Sequence, residues 1–244
     1  DNELWIGTES GAYIYNLRTG KYTHLRSSEY DPYSLSDNAI YSFCKDREDG
    51  IWIGSYFGGV NYYPRSYTHF EKYYPKGEEN SLHGKRVREF CRDNYGVLWI
   101  GTEDGGLNRF NLNTKEFSFF APSAGFTNIH GLCLVDDKLW VGTFSKGLKI
   151  IDTRTGTVLK TYQKNSSPRS LIDNSIFAIC RTATGDIYLG TMFGLVKYNK
   201  QSDDFDRIPE LNGKFVYDIK EDSGGNIWLA TYANGAYCYN VNDR

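Results

Sequence analysis

The sequence has little of what marks a membrane or nucleic-acid-binding protein. Its longest unbroken apolar run, at positions 176–180, has five residues, whereas a transmembrane helix needs about 20. Lys and Arg number 28 and Asp and Glu number 30, so the net charge of −2 gives no overall attraction to nucleic acid or anionic lipid. No stretch has the apolar periodicity of an amphipathic helix. We therefore predict no nucleic-acid partner and no direct membrane insertion by this chain.

Motifs for catalysis and metal binding are also missing. The sequence contains no Gly-x-Ser-x-Gly, no P-loop and no dinucleotide fingerprint. Its five cysteines include no Cys-x-x-Cys pair and its four histidines are scattered, so a zinc site is not indicated. Acidic residues cluster in short turns, whereas a glycosidase needs two carboxylates at a controlled separation. We predict no catalytic residue, no metal and no cofactor; a polysaccharide lyase or hydrolase is kept as an alternative.

What the sequence has in abundance is aromatic residues and glycine, with 5 Trp, 20 Tyr, 14 Phe and 25 Gly. Every Trp lies in a phrase of the form apolar-Trp-apolar-Gly-Thr, which recurs six times at intervals of 40–48 residues with small changes. The aromatic positions of the six phrases are Trp5, Trp52, Trp99, Trp140, Tyr188 and Trp228. A repeat of this length is typical of solenoids and propellers.

Each phrase has the surroundings of one strand among four. An apolar segment lies upstream across an Asp- and Gly-containing turn, and a Gly-rich turn leads to a third and a fourth short strand. Four antiparallel strands in about 45 residues is the arithmetic of a β-propeller blade. We predict an all-β fold, a single partial β-propeller over 1–244. Its repeats are placed at 1–37, 38–84, 85–127, 128–173, 174–214 and 215–244.

The predicted propeller is incomplete. The first copy begins at its second strand and the last copy ends after its third strand. We therefore expect five to six blades' worth of structure, part of a seven-bladed propeller or a propeller completed by something outside this chain.

Two motifs carry a family resemblance. The pattern Asp-x-x-Gly-x-[Leu/Ile]-Trp-[Ile/Leu]-Gly-Thr-x-x-Gly-Gly-[Leu/Val]-x-x-[Tyr/Phe], best seen at 93–110, resembles the two-component-regulator propeller repeat. The Ser-Leu connectors at 33–40, 80–87 and 169–176 are similar to those in periplasmic sensor halves of hybrid two-component systems of gut Bacteroidetes. The resemblance implies a periplasmic location, detection of glycan-derived oligosaccharides, and a homodimeric parent receptor with a histidine kinase. The remaining blades and the downstream receptor domains are its implied partners.

Two sets of repeated residues are predicted to be buried. A side chain at one strand position of every blade packs blade against blade, so we assign the five Trp and Tyr188 to the core rather than to sugar stacking. Cys44, Cys91, Cys133 and Cys180 share one position on the first strands. Equivalent positions lie a blade apart, too far for a disulfide, so we expect these thiols to be buried and unbridged.

The remaining variation lies in the loops that follow each Trp strand and in the connectors into the first strands, which emerge on one face. Aromatic and hydrogen-bonding side chains mix there, as apolar sugar faces and hydroxyls require. The candidate ligand-binding residues are Tyr56, Phe57, Arg88, Glu103, His130, Phe144, Phe193, Tyr217 and Tyr232. The alternative, that such aromatics only cap the blade edges, stays open.

The predicted function is a non-enzymatic extracytoplasmic sensor module that binds an oligosaccharide or a neighbouring receptor domain and relays a conformational signal. The alternative from another class is a scaffold propeller that only holds subunits in a dimer.

Overall fold

A computed structural model of the chain describes residues 2–65, 71–77, 79–120 and 125–240. These residues form 21 strands in six antiparallel sheets, each built from consecutive strands. The chain divides into two compact units, residues 1–78 and 79–244, which are described separately below.

The first unit has two three-stranded sheets. One contains β1 (Glu3–Thr8), β2 (Gly11–Asn16) and β3 (Tyr22–Leu25), and the other contains β4 (Ile40–Lys45), β5 (Ile51–Ser55) and β6 (Val60–Tyr63). The strands are rich in β-branched and aromatic residues, which favour a pleated sheet. The repeat also predicts a fourth strand after β6, at 68–73. Of these residues, 68–70 lie outside the described part of the chain, and 71–73 have no regular structure.

The second unit has four sheets, three of them with the four strands that the repeat predicts. The first four-stranded sheet contains β7 (Val87–Arg92), β8 (Val97–Thr102), β9 (Gly106–Asn111) and β10 (Phe117–Phe120). The second contains β11 (Ile129–Val135), β12 (Lys138–Thr143), β13 (Leu148–Asp152) and β14 (Val158–Tyr162). The third contains β15 (Ile176–Arg181), β16 (Ile187–Thr191), β17 (Gly194–Asn199) and β18 (Asp204–Arg207). The last sheet has β19 (Val216–Glu221), β20 (Ile227–Thr231) and β21 (Gly235–Tyr239), preceded by a 3-10 turn at Pro209–Leu211.

Successive sheets of a unit pack face to face through the Trp strand. A Cβ placed on Gly101 would lie 2.6 Å from Cγ2 of Ile129, the first residue of the next sheet, and one on Gly142 would lie 2.8 Å from Cγ2 of Ile176. Glycine is therefore required at these positions because a neighbouring sheet approaches closely. Trp99 packs in the same interface, with Leu132 of the next sheet in its core cluster.

The predicted core positions divide according to whether a later sheet of the same unit covers them. Trp99, Trp140 and Tyr188 are buried. Trp5 is half-buried and makes edge contacts with Phe43 and Tyr63 of the next sheet, at centroid distances of 5.8 and 5.1 Å.

Trp52 and Trp228 are 45% and 48% exposed. The core assignment is wrong for these two, because each lies in the last sheet of its unit and no later described sheet of that unit packs over it.

The cysteine column follows the same rule. Cys91, Cys133 and Cys180 are half-buried, whereas Cys44, in the last sheet of the first unit, is exposed, so the prediction of burial is wrong for Cys44. The five thiols are free in the described part of the chain. Burial raises the pKa of Cys91 to about 11 and raises the pKa of Cys133 and Cys180 as well.

Candidate functional site

Every first strand that is followed by a Trp strand begins with a β-bulge. The pairing of β7 with β8, for example, steps from Val87 to Glu89 and leaves Arg88 between two ladder partners. A bulge re-aims the side chain of the extra residue. The five residues skipped in this way, here called the bulge positions, are Tyr41, Arg88, His130, Phe177 and Tyr217.

A second repeated contact places a loop residue beside each bulge. The amide of Glu103 donates to the carbonyl of Arg86 at 2.9 Å, and that of Phe144 donates to the carbonyl of Asn128 at 3.0 Å. In each case the acceptor lies two residues before the bulge position. The residues that donate, here called the loop positions, are Tyr56, Glu103, Phe144, Met192 and Tyr232.

Arg88 lies at the centre of the polar contacts in the second unit. Its Nη1 donates to the hydroxyl of Tyr217 at 2.6 Å, and its guanidinium carbon lies 5.0 Å from the centre of the Tyr217 ring. Its Nε lies 3.6 Å from Oε1 of Glu103, as an ion pair. Arg88 and Tyr217 belong to the first and last sheets of this unit, so the hydrogen bond joins these two sheets directly.

His130 is a neutral, nearly enclosed imidazole. It is 6% exposed, and its Nε2 lies 2.8 Å from Oδ1 of Asn128. Burial lowers the pKa of His130, the charge of Arg88 lowers it further, and Glu103 acts in the opposite direction. Within the described residues, neither Nδ1 of His130 nor Nε of Arg88 has a hydrogen-bond partner, although both atoms are buried. A buried donor or acceptor that makes no hydrogen bond costs free energy, so these two atoms are suited to form hydrogen bonds with a ligand.

Aromatic rings continue from His130 across the next two sheets. The centroid of Phe177 lies 4.6 Å from that of His130 and 4.4 Å from that of Phe215, and Phe215 lies 5.6 Å from Tyr232. Phe177 is buried, whereas Tyr232 is 69% exposed. We call the following set the arginine–aromatic cluster: Arg88, Glu103, His130, Phe144, Phe177, Phe215, Tyr217 and Tyr232.

The structure brings six of the predicted site residues into this cluster: Arg88, Glu103, His130, Phe144, Tyr217 and Tyr232. Phe193 is exposed and follows the loop position rather than occupying it, and its carbonyl accepts the amide of Gly213 at 2.8 Å.

Tyr56 and Phe57 belong to the first unit. There Tyr56 makes edge contacts with Tyr41 and Phe57 at centroid distances of 5.2 and 4.2 Å. Their binding role stays a prediction.

Sequence reasoning missed Tyr41, Phe177 and Phe215. The signal for the first two was present, because the second residue of every first strand is aromatic or basic. Phe215 carries no such signal, since it is only the acceptor in the backbone contact of Tyr232.

Two searches of the described residues complete the description of the site. No group of His, Cys, Asp and Glu side chains among them is arranged to hold a metal ion. None of the helices among them is long and apolar enough to cross a bilayer.

Comparison with protein families identifies the repeat. Residues 34–57, 81–104 and 210–233 match the family model of the two component regulator propeller. The last two matches contain five residues of the arginine–aromatic cluster: Arg88, Glu103, Phe215, Tyr217 and Tyr232. These three segments thus have the sequence pattern of the two component regulator propeller repeat. No curated protein sequence matches the chain.

Solved structures show the fold. The extracellular domain of BT4673 from B. thetaiotaomicron, assigned to a one component system, is 20% identical with a TM-score of 0.55, covering 99% of this chain and 41% of that one. The extracellular domain of BT3049 from the same organism, assigned to a hybrid two component system, is 23% identical with a TM-score of 0.52, covering 99% and 40%. This chain therefore spans about two fifths of these relatives.

The WD40 β-propeller domain of Doa1 is also similar in structure. It is 14% identical with a TM-score of 0.50, and the match covers 99% of this chain and 76% of that domain. The all-β fold predicted from the repeat is confirmed as that of a β-propeller.

Proposed function

We propose that this chain is a non-catalytic, extracytoplasmic sensor module of a two component signalling receptor, and that it binds a glycan-derived oligosaccharide at the arginine–aromatic cluster. The observation that carries the proposal is the cluster itself, in which exposed aromatic rings surround hydrogen-bonding groups whose capacity is not filled.

The chemistry of the cluster suits a sugar. Sugars present apolar faces that pack on aromatic rings and hydroxyls that need both donors and acceptors. The rings of Phe144, Tyr217 and Tyr232 are 38%, 40% and 69% exposed, and Arg88, Glu103 and His130 supply the polar groups. These side chains occupy bulge and loop positions, which lie outside the regular ladder pairing of the blades.

The relatives support the proposed location, and the contact between Arg88 and Tyr217 supports the proposed relay of a signal. BT4673 and BT3049 are represented by extracellular domains, and this supports a periplasmic location here. Because Arg88 and Tyr217 lie in the first and last sheets of the second unit, a ligand that touches both would change how tightly these sheets are held. The parent receptor would pass that change, through its remaining blades and downstream domains, to a histidine kinase in a homodimer.

The test is calorimetric titration of the chain with a panel of glycan oligosaccharides. Tyr232→Ala is expected to weaken the binding of an active saccharide about five- to thirtyfold, because a stacking aromatic contributes about 1–2 kcal/mol. Tyr95→Ala is the matched control, because Tyr95 is 47% exposed and lies in the turn at the far end of β7. It should leave the affinity unchanged.

Three outcomes would contradict the proposal. Equal losses of saccharide affinity for Tyr232→Ala and Tyr95→Ala would show that the saccharide does not bind at the cluster. A folded chain that binds no saccharide but dimerises in sedimentation would favour the scaffold, and turnover of the panel would favour an enzyme.

A further inference from the structure

We propose that the arginine–aromatic cluster selects uncharged saccharides over acidic ones, with Nε of Arg88 donating to the ligand and Nδ1 of His130 accepting from a ligand hydroxyl. This inference rests on the proposed function and specifies the class of saccharide that the same site takes.

The first argument is that the charge of Arg88 is already paired with a carboxylate. Glu103 lies 3.6 Å from Nε of Arg88, and Arg86, 75% exposed, reaches the other carboxylate oxygen at 3.9 Å. The next charged groups along the same strands are Glu89, Asp218 and Lys220, of which Lys220 lies 3.3 Å from Asp218. A carboxylate on the ligand would compete with Glu103 for Arg88 and would be repelled by it.

The second argument is the direction of the hydrogen bonds at His130. Oδ1 of Asn128 can only accept, so Nε2 of His130 donates to it. In a neutral imidazole the other nitrogen then carries a lone pair and no proton. Nδ1 can accept a hydrogen bond from a sugar hydroxyl, but it offers nothing to a carboxylate or a sulfate. Since ionisation of His130 is disfavoured by its burial and by Arg88, this arrangement holds at neutral pH.

The third argument concerns access to the two atoms. Nδ1 of His130 and Nε of Arg88 are both buried. The ring of Phe144 lies beside that of His130, with centroids 5.9 Å apart, and the ring of Tyr217 has its centre 5.0 Å from the guanidinium carbon of Arg88. These two rings are each about two fifths exposed. Side-chain rotamer changes are common when partners bind, so we infer that a ligand reaches the two atoms by displacing these partly exposed side chains.

The experiment uses three pairs of trisaccharides that differ only in oxidation at C6: galactotriose and trigalacturonate, cellotriose and its triglucuronate, and mannotriose and trimannuronate. Calorimetry at pH 7.5 gives the affinity ratio within each pair. In any pair of which at least one member binds, we expect the neutral trisaccharide to bind the wild-type chain at least tenfold more tightly than the acidic one.

Variants separate charge from shape. Glu103→Gln removes the counter-charge of Arg88 and should move the ratio toward the acidic member by at least tenfold. Glu116→Gln, an exposed carboxylate beside the outer strand β10 of the same sheet, is the matched control and should leave the ratio unchanged. His130→Phe keeps an aromatic ring but loses the acceptor, and should weaken neutral binding about tenfold.

The outcomes separate this inference from the function on which it rests. Tighter binding of the acidic member by the wild type, or a ratio that Glu103→Gln leaves unmoved, overturns the selectivity while the saccharide site stands. Absence of binding to all six compounds by folded protein overturns the proposed function, and the selectivity with it.

Discussion

The indole nitrogen of Trp99 donates a hydrogen bond of 2.9 Å to Oδ2 of Asp93, which lies in the turn between β7 and β8. Oδ1 of the same carboxylate accepts the amides of Tyr95 and Val97 at 2.8 and 3.0 Å. Asp93 thus shapes its own turn and anchors the Trp that fills the interface between two sheets. This explains the Asp that lies six residues before Trp52, Trp99 and Trp228.

The same pair occurs in two other copies, and in the fifth copy both members are replaced. Trp52 donates to Asp46 at 3.1 Å and Trp228 to Asp222 at 2.8 Å. In the fifth copy the aromatic residue is Tyr188, which has no indole, and the turn residue is Thr182. The Thr182 hydroxyl accepts the amide of Asp186 at 3.0 Å, so the turn is kept without a carboxylate.

Asp93→Ala should be strongly destabilising. Asp93 is 4% exposed, and its loss leaves three donors unsatisfied in the interior, at a cost of at least about 2 kcal/mol. Urea unfolding of the variant measures this cost. Asp222→Ala removes the equivalent contacts from Gly224, Asn226 and Trp228, together with the hydrogen bonds from Nδ2 of Asn226. Asp222 is only half-buried, so water can replace its carboxylate and the effect should be clearly smaller; equal losses would show that burial is not the cause.

Trp99→Ala and Trp228→Ala should differ although both remove the same side chain from one strand position. The Trp99 side chain is completely buried, and truncation of a buried aromatic costs about 3–5 kcal/mol. Trp228 is 48% exposed, so its truncation should cost well under half as much. Urea unfolding measures the loss of unfolding free energy in each variant. Similar losses would contradict the finding that the first Trp is buried in the core and the second is not.

His130 should make the protein sensitive to mild acid. Its pKa is lowered from the ordinary value of 6.5 in the folded state, so below pH 6.5 the unfolded chain binds a proton more readily than the folded one. The free energy of unfolding should therefore fall as the pH drops from about 6.5 toward the folded pKa, and it should stay constant above about pH 6.5. His130→Gln should flatten this slope in urea titrations at several pH values; an unchanged slope would contradict the assignment.

The five thiols should divide into a fast and a slow group. Cys44 and Cys238 are exposed, while the pKa of Cys91 is raised from 9.0 to about 11, which lowers its thiolate fraction about a hundredfold at pH 8. A disulfide reagent should label two thiols quickly and the other three only slowly until urea is added. Cys44→Ser should remove one fast equivalent. If Cys91 were labelled as fast as Cys44, the burial of Cys91 would be contradicted.

The strands were largely predictable because a 40–48-residue repeat samples the same local pattern six times. The burial of a repeated residue was not, because it depends on a sheet that lies elsewhere in the chain. Trp99 and Trp228 have nearly the same local sequence, yet only Trp99 has a later sheet of its own unit against it. Cys44 and Cys91 differ for the same reason.

The candidate site was predictable in part. Arg88, His130 and Tyr217 stand out as residue types, but the bulges that align them with Phe177 arise from a one-residue shift in strand pairing. Neither strand shows this shift in its own sequence. The contact between Arg88 and Tyr217 spans 129 positions, and no local pattern can reveal it.

The bulges have a consequence for how such a chain can change. The ladder resumes its pairing on either side of each extra residue, so exchanging the side chain at a bulge position leaves the strand pairing within its blade intact. The strand pairing of each blade and the side chains of the proposed binding face therefore depend on different positions of the repeat. Exchanging Tyr41, Arg88, His130, Phe177 or Tyr217 for other residues is expected to alter the proposed binding face and its contacts between blades, while the repeated Gly and Trp positions maintain the packing of the sheets.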